Sequence, residues 1–123
     1  MESKKVLAVL EDLFFTVKIN EAAKRAGLPI TFLKSEHDVL EHAKTQPALI
    51  IMDINFQGID PLSLIRKLKA DEQTKRINLI GYLSHVQADL MREGQEAGCD
   101  QVMPRSAFSQ NLDELLRPHS RHP

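Results

Sequence analysis

Acidic and basic side chains follow several of the short apolar runs in this sequence. Asp53 ends one run, the pair Glu11 and Asp12 follows another, and Arg105 follows a third. Neighbouring carboxylates repel one another, and they therefore favour a bound Mg²⁺, which prefers oxygen ligands. A carboxylate such as Asp53 can also act as a nucleophile and form an acyl phosphate, whose oxygens Arg105 would pair with. These residue types predict metal-assisted phosphoryl transfer, provided that the fold brings them together.

The elements that must position these residues alternate along the chain. Continuous apolar runs are typical of strands buried on both faces, and apolar residues three or four positions apart are typical of helices. The predicted strands span residues 6–10, 30–33, 48–52, 79–83 and 101–103, and the helices after them span 15–26, 35–45, 61–68, 86–97 and 108–116. This order predicts an α/β domain with a doubly wound, five-stranded parallel sheet and helices on both faces.

Local signals mark the ends of several of these elements. Gly27 and Gly98 follow two predicted helices, in the position where a left-handed residue usually ends a helix. Ser35 is a plausible N-cap for the second helix. Asp60 and Pro61 are an N-cap followed by proline at the first helical position.

The residues that could do chemistry are expected to meet at one edge of the sheet. In doubly wound sheets the carboxyl ends of the strands lie together, and ligands bind there where the strand order reverses. Ser84 and His85 follow the fourth predicted strand and belong to the same edge. Ser84 either caps a helix or contacts phosphate, and His85 is expected to be a loop residue.

Purely structural roles stay open for the charged residues. Asp53 could be a capping or loop aspartate. Glu11 and Asp12 could form the solvated start of a helix, where acidic residues are favourable. Arg105 could pair with Asp53 and close the site without any ligand.

Two motifs and their spacing resemble the response-regulator receiver family. The first is the apolar stretch 47–52 before Asp53, with Gly58 and Asp60 at the family's offsets. The second is the tripeptide 98–100, Gly-Cys-Asp, which is similar to the Gly-Ala-Asp found before the family's fifth strand. The resemblance covers residues 5–116, and it implies a flavodoxin-like sheet with the strand order 2-1-3-4-5.

The resemblance also implies roles for individual residues. Asp53 occupies the phosphoacceptor position, and Glu11, with Asp12, occupies the acidic pair that helps to hold Mg²⁺. The backbone carbonyl of Asn55 occupies the position of a further metal ligand. The implied partners are a histidine kinase or phosphotransfer protein and a downstream protein target, and the implied function is two-component signalling rather than enzymatic turnover.

Several positions depart from the family's pattern. Arg105 stands where the family has lysine, and Ser106 where it has proline. Leu83 takes the position of a threonine or serine, with Ser84 one residue later, and Val102 takes that of the aromatic switch residue. The leading expectation is a receiver that accepts a phosphoryl group on Asp53 from a histidine kinase and signals through protein–protein contact. These changes leave open an alternative function, an atypical receiver that binds partner proteins without phosphorylation.

Composition narrows the remaining possibilities. The 123 residues contain 16 Lys and Arg against 17 Asp and Glu, so no strong field points to nucleic acid or to an anionic membrane. The apolar runs are too short to cross a bilayer, and the single cysteine, Cys99, suits a reducing cytoplasm. A flavodoxin-like cofactor carrier is disfavoured because no glycine-rich phosphate loop follows the first strand. One domain is expected over residues 4–117, followed by a frayed tail over 118–123.

Aromatic and sulfur side chains are assigned to packing. The five phenylalanines are expected to lie in the core or to pack in loops, because their spacing does not suggest a base-stacking platform. Cys99 is expected to be a small buried residue and not a reactive thiol.

Overall fold

The computed structural model of the chain describes residues 5–84 and 87–120. The strands are β1 (Val6–Val9), β2 (Ile30–Leu33), β3 (Leu49–Asp53), β4 (Asn78–Leu83) and β5 (Gln101–Pro104). The helices are α1 (Leu13–Ala26), α2 (Glu36–Ala43), α3 (Pro61–Ala70), α4 (Ala88–Ala97), α5 (Arg105–Gln110) and α6 (Leu112–Leu116). A 3-10 turn, Arg117–His119, follows α6.

The strands form one parallel sheet in the order β2-β1-β3-β4-β5. This is the flavodoxin-like order predicted from the sequence, and the prediction is confirmed. The strand order reverses between β1 and β3, so the carboxyl ends of these two strands form the edge where ligands bind in such sheets.

Side chains of each strand alternate between two separate cores. Leu7 and Val9 of β1 pack on one face of the sheet with side chains from α2, α3 and α4. Val6 and Ala8 pack on the other face with side chains from α1, α5 and α6. All of β1 and β3 is buried, because helices cover both faces.

The predicted helix ends are found where the local signals place them. The side chain of Ser35 accepts a hydrogen bond from Asp38 N at the start of α2. Asp60 does the same for Ser63 N at the start of α3. Gly27 has φ +71° after α1, a left-handed conformation that favours glycine. These caps satisfy backbone groups that a helix leaves without intrahelical partners.

The last predicted helix is divided into α5 and α6. Asn111 separates them with φ −104° and ψ +11°, outside helical geometry. Its side-chain Nδ2 donates to Ala107 O at 2.8 Å, so its amide competes for a helical carbonyl. Phe108, Leu112 and Leu116 still face the same core on both sides of the break.

Two other predictions concern residues that lie partly outside the described ranges. The structure describes α4 from Ala88 onward, and Val86 and His85, to which the sequence assigned a helix start and a loop role, lie outside the described residues. Within the predicted tail, Ser120 Oγ donates a hydrogen bond to Ala26 O at 2.8 Å. Residues 121–123 of that tail lie outside the described residues. The domain limits 4–117 therefore stay a prediction.

Lys69 joins three elements at the amino-terminal edge of β4 and β5. Its Nζ donates to Ile77 O and to Asp100 Oδ2, both at 2.9 Å, and its side chain is 18% exposed. Asp100 Oδ2 also accepts from Leu79 N at 2.7 Å. The Gly-Cys-Asp tripeptide thus ends in a carboxylate that ties β5 to α3 and β4.

Cys99 lies in the core, 8% exposed, and burial raises the pKa of its thiol to about 12. The expectation of a small buried residue is confirmed. Across residues 5–84 and 87–120, no helix is long and apolar enough to cross a membrane.

Candidate functional site

Asp53 is the last residue of β3, at the carboxyl edge of the sheet. Its side chain is nearly buried, with 9% of the residue exposed, and Oδ1 accepts a hydrogen bond from Asn55 N at 2.9 Å. In the sheet Asp53 is aligned with Tyr82 of β4. The phosphoacceptor position predicted from the sequence is thus a largely enclosed carboxylate at the expected edge.

Asp12 lies across the same edge, at the start of α1, and performs two tasks. Its Oδ1 accepts from Phe15 N at 3.2 Å and caps the helix, and its Oδ2 accepts from Arg105 Nη2 at 2.8 Å. The hydrogen bond from Phe15 N, followed by the Arg105 charge, lowers the pKa of the Asp12 carboxyl. The alternative that paired Arg105 with Asp53 is not what the structure shows, because the guanidinium bonds to Asp12.

Arg105 is held by an aromatic ring as well as by this carboxylate. Its Cζ lies 4.3 Å from the ring centroid of Phe15, a cation–π distance. Phe15 packs in turn against Tyr82 and Phe108, with centroids 5.1 and 5.8 Å away. The guanidinium therefore covers an aromatic cluster that belongs to the core beneath α1.

Tyr82 brings a buried hydroxyl under this site. The residue is 1% exposed, and its hydroxyl oxygen has no hydrogen-bond partner within the described residues. Burial raises the pKa of this hydroxyl, and the negative charge of Asp53 raises it further. A neutral, unpaired phenol thus lies within electrostatic range of Asp53, Arg105 and Asp12.

Asn55 and Ser84 connect the loops that follow β3 and β4. The side-chain Oδ1 of Asn55 accepts from Ser84 N at 2.6 Å. The amide therefore fixes the β4 loop relative to Asp53, while the predicted role of the Asn55 carbonyl as a metal ligand stays a prediction. Ser84 contributes its backbone here, and its predicted phosphate contact is likewise untested.

Two of the predicted acidic residues, Asp12 and Asp53, lie at this edge, and both act electrostatically on Tyr82. No group of three His, Cys, Asp or Glu side chains among residues 5–84 and 87–120 has the spacing to hold a metal ion. Glu11 is exposed, and Asp12 is already bonded to Arg105. Mg²⁺ is usually bound through one or two carboxylates, with waters completing its octahedral oxygen ligation. Asp12 and Asp53 fit this pattern, and the metal roles predicted for Glu11, Asp12 and Asp53 stay a prediction.

Leu83 and Val102 lie on the other face of the sheet. Leu83 is fully buried among the side chains covered by α2, α3 and α4, and the half-buried Val102 packs against the same cluster. Neither residue carries a hydroxyl or a ring that could contact a group on Asp53. The predicted switch role of Val102 stays a prediction.

A cleft of about 390 Å³ opens beside Arg105. The cleft is lined by apolar residues, serines and one arginine: Phe14, Phe15, Leu83, Ser84, Pro104, Arg105, Ser106 and Ser109. Phe14 is 70% exposed at its rim. The expectation that all five phenylalanines pack in the core or in loops is therefore wrong for Phe14, which sits on the outer side of the first turn of α1.

Sequence reasoning missed the aromatic part of the site. Tyr82 and Phe15 were assigned no role there, although the strand pattern places Tyr82 beside the end of β3. Phe15 follows Asp12 by three residues, the spacing of an N-cap and the residue that donates to it. Recognising Asp12 as an N-cap would have predicted that Phe15 lies next to it. It would not have predicted that Arg105 packs on the ring of Phe15.

Comparisons with known proteins agree with this geometry at the level of the fold. No protein-family model and no curated protein matches the chain. A putative response regulator from Chloroflexus aurantiacus J-10-fl has a TM-score of 0.83 at 19% identity, covering 96% of this chain and 98% of that one. The chemotaxis response regulator CheY4 of Vibrio cholerae has a TM-score of 0.79 at 17% identity, covering 97% and 99%.

A third solved structure contains a metal. The receiver domain of a sensor histidine kinase from Pseudomonas aeruginosa, with a magnesium ion coordinated in its active site cleft, has a TM-score of 0.80 at 18% identity, covering 94% of this chain and 96% of that one. The chain therefore has the fold of response-regulator receiver domains over nearly its whole length.

Proposed function

We propose that this receiver-fold chain is a signalling module that binds partner proteins without being phosphorylated on Asp53. The observation that carries the proposal is the 2.8 Å ion pair between Asp12 and Arg105. It joins the residue expected to hold a metal to the residue expected to hold a phosphoryl group, and each neutralises the other's charge.

The rest of the site supports the same conclusion. Phosphoryl transfer to a carboxylate depends on cations that offset the charge of the transferring oxygens. Arg105 is held in place both by Asp12 and by the ring of Phe15. The fully buried Leu83 supplies no hydroxyl where the family has a threonine or serine. The receiver surface would then act by constant protein–protein contact.

Treatment with acetyl phosphate and Mg²⁺, followed by intact-mass measurement, tests this proposal. An ordinary receiver, such as a chemotaxis response regulator, serves as the positive control in the same buffer. We expect the control to gain one phosphoryl group and this chain to keep its mass. A gain that Asp53→Asn abolishes would refute the proposal.

A second candidate function is phosphoacceptance at Asp53, with a histidine kinase or phosphotransfer protein as donor. The favouring observation is the position of Asp53, a nearly buried carboxylate at the end of β3. A carboxylate oxygen would attack the phosphorus of a phosphohistidine; an O–P bond forms, the N–P bond breaks, and the histidine nitrogen keeps the electron pair. Asp12 and Asp53 would contribute to Mg²⁺ binding, and the ion would offset phosphoryl charge.

Metal binding separates the two candidates independently of phosphorylation. Anything that binds only the folded state raises the melting temperature by mass action. The first candidate predicts the same small effect of Mg²⁺ on the natural chain and on Asp53→Asn. Stabilisation by Mg²⁺ that Asp53→Asn removes would favour the second candidate.

A further inference from the structure

We propose that a cavity at the amino-terminal edge of the sheet binds a small organic anion that also carries hydrogen-bond donors, such as a sugar phosphate or a hydroxy acid. The cavity has a volume of about 420 Å³, within the roughly 300–1,000 Å³ of small-molecule sites. Its walls are residues 46–48 just before β3, residues 76–78 at the start of β4, and His119 of the 3-10 turn. Asp53 lies at the opposite end of β3, about 16 Å along the strand, so this inference does not rest on the proposed function.

Arg76 gives the cavity its preference for anions. The residue is exposed, and its guanidinium makes no hydrogen bond or ion pair with any described residue. A guanidinium can donate two parallel hydrogen bonds to a carboxylate or a phosphate. None of the described residues that line the cavity is an Asp or a Glu. On the turn before it, the nearby carboxylate of Glu72 is already paired with Lys75 at 2.8 Å.

Two side-chain amides supply hydrogen-bond acceptors. Asn78 Nδ2 lies 3.3 Å from His119 Nε2, and Gln46 Nε2 donates to Gln73 O. The amide oxygens of Asn78 and Gln46 accept no hydrogen bond from the described residues. Hydroxyl or amino groups of a ligand could donate to these two oxygens. An anion without such donors would have only Arg76 to bind.

Apolar groups complete the walls. Pro47 is buried, Ile77 is 5% exposed, and Ala48 is half-buried. The carbon skeleton of an organic ligand could pack on these groups, whereas inorganic phosphate has no part that could do so. Apolar walls with a few polar groups that fix orientation are typical of sites for organic molecules.

Hydrogen bonds outside the cavity hold its walls in place. Ala48 N donates to Lys5 O at 2.9 Å, which joins the residue before β3 to the residue before β1. Ser120 Oγ donates to Ala26 O at 2.8 Å and anchors the turn that carries His119. A ligand would therefore meet walls that are already ordered, and the entropic cost of binding is lower as a result.

Gln46 has a backbone conformation that the local sequence disfavours. Its φ is +60°, in the left-handed region that residues other than glycine rarely adopt. Pro47 follows it, and a proline favours extended backbone at the residue before it. Strained residues of this kind occur at ligand-binding positions, where the surrounding structure maintains them. A glycine at position 46 would adopt this φ more easily, but it would remove the amide.

An NMR titration of the isotope-labelled full chain tests the inference. Ribose 5-phosphate and citrate are the organic anions, inorganic phosphate is the bare anion, and ribose is the neutral control. We expect at least one organic anion to shift the amide signals of Ala48, Ile77 and Asn78 at millimolar concentration. Inorganic phosphate should bind roughly tenfold more weakly, and ribose should cause no shift. The tighter of the two organic anions tells a phosphate site from a carboxylate site.

Three outcomes of this titration would overturn the proposal. The first is the absence of shifts at Ala48, Ile77 and Asn78 with both organic anions. The second is equal affinity for inorganic phosphate, because the amides and the apolar walls would then contribute nothing. The third is a set of shifts confined to Asn55 and Ser84, which would assign the anion to the edge that carries Asp53.

Three variants locate the site. Arg76→Gln removes the cation and is expected to weaken binding of the organic anion by roughly tenfold or more. Gln46→Gly is expected to weaken binding and to raise the melting temperature, because glycine adopts a positive φ without strain. Arg66→Gln is the matched control, since it removes an exposed cation of α3 that does not line the cavity. Full affinity in Arg76→Gln or Gln46→Gly, or an equal loss in Arg66→Gln, would refute the assignment.

Discussion

Asp12 and Arg105 are 93 positions apart in the sequence, and their side chains meet at 2.8 Å at the carboxyl edge of the sheet. The pair connects the start of α1 to the start of α5. Because Asp12 also caps α1 through Phe15 N, the capping and the ion pair share one carboxylate. The two contributions can be separated by choosing substitutions that remove one and keep the other.

Asp12→Ser keeps a capping oxygen and removes the charge. An ion pair whose side chains are 34% and 37% exposed contributes little, so we expect a loss of at most about 1 kcal/mol in the free energy of unfolding. Asp12→Ala removes the cap as well and should lose roughly 1 kcal/mol more. Urea denaturation measures both variants. Equal losses would show that the cap contributes nothing.

The contribution of the Asp12 carboxylate to the free energy of unfolding is expected to be lost in acid. Its folded pKa lies below the ordinary value, so its stabilisation is present above the pKa of the unfolded state and is lost as the pH falls through the folded pKa. The free energies of unfolding of the natural chain and Asp12→Ser should therefore converge below about pH 4. A constant difference from pH 7 to pH 3 would contradict the lowered pKa.

Tyr82 is expected to resist ionisation in the folded protein. Burial raises its pKa, so the unfolded chain loses this proton first and stability falls as the pH rises above about 10. Tyr82 is the one tyrosine of the chain and there is no tryptophan, so tyrosinate absorbance reports this residue alone. We expect that absorbance to appear together with unfolding. Its appearance in folded protein near pH 10 would show an accessible hydroxyl.

Tyr82→Phe serves as the matched control. It keeps the ring that stacks 4.9 Å from Phe108 and removes the hydroxyl that lacks a partner. An unpaired buried polar group costs about 1–3 kcal/mol, so we expect unchanged or increased stability. The variant should also lose the part of the alkaline destabilisation that comes from this residue. A marked loss of stability would mean that the hydroxyl is satisfied.

Asp100→Ala is expected to destabilise the sheet. Removing the carboxylate leaves Leu79 N and the partly buried Lys69 ammonium without this acceptor. We expect the free energy of unfolding to fall by about 1–3 kcal/mol. Glu72→Gln, which breaks an exposed ion pair to Lys75, is the matched control and should change stability by less than about 0.5 kcal/mol. Similar effects of the two changes would show that the hydrogen bonds to Asp100 contribute no more to stability than an exposed ion pair does.

The fold could be predicted because its signals are local. Buried strands read as apolar runs, and helix ends carry residues such as Ser35, Asp60 and Gly27 that each satisfy a backbone requirement on their own. The division at Asn111 was not predictable in the same way, since the apolar spacing of Phe108 and Leu112 continues across it. There a side chain competes with the helical backbone.

The site could be predicted only in part. The edge of the sheet and the enclosure of Asp53 follow from strand order. The partner of Arg105 does not, because Asp12 and Asp53 both lie at that edge and side-chain packing decides between them. The exposure of Phe14 depends on how α1 packs on the sheet, which periodicity alone leaves open.

The aromatic cluster gives the protein an optical readout of its own site. Phe15 separates Arg105 from Tyr82, and that tyrosine is the chain's sole strong intrinsic fluorophore. Any ligand that draws the guanidinium away from its ring should alter the field at the phenol and hence its emission. Ligand binding at the cleft could then be followed by tyrosine fluorescence in unlabelled protein, with Tyr82→Phe as the non-fluorescent control.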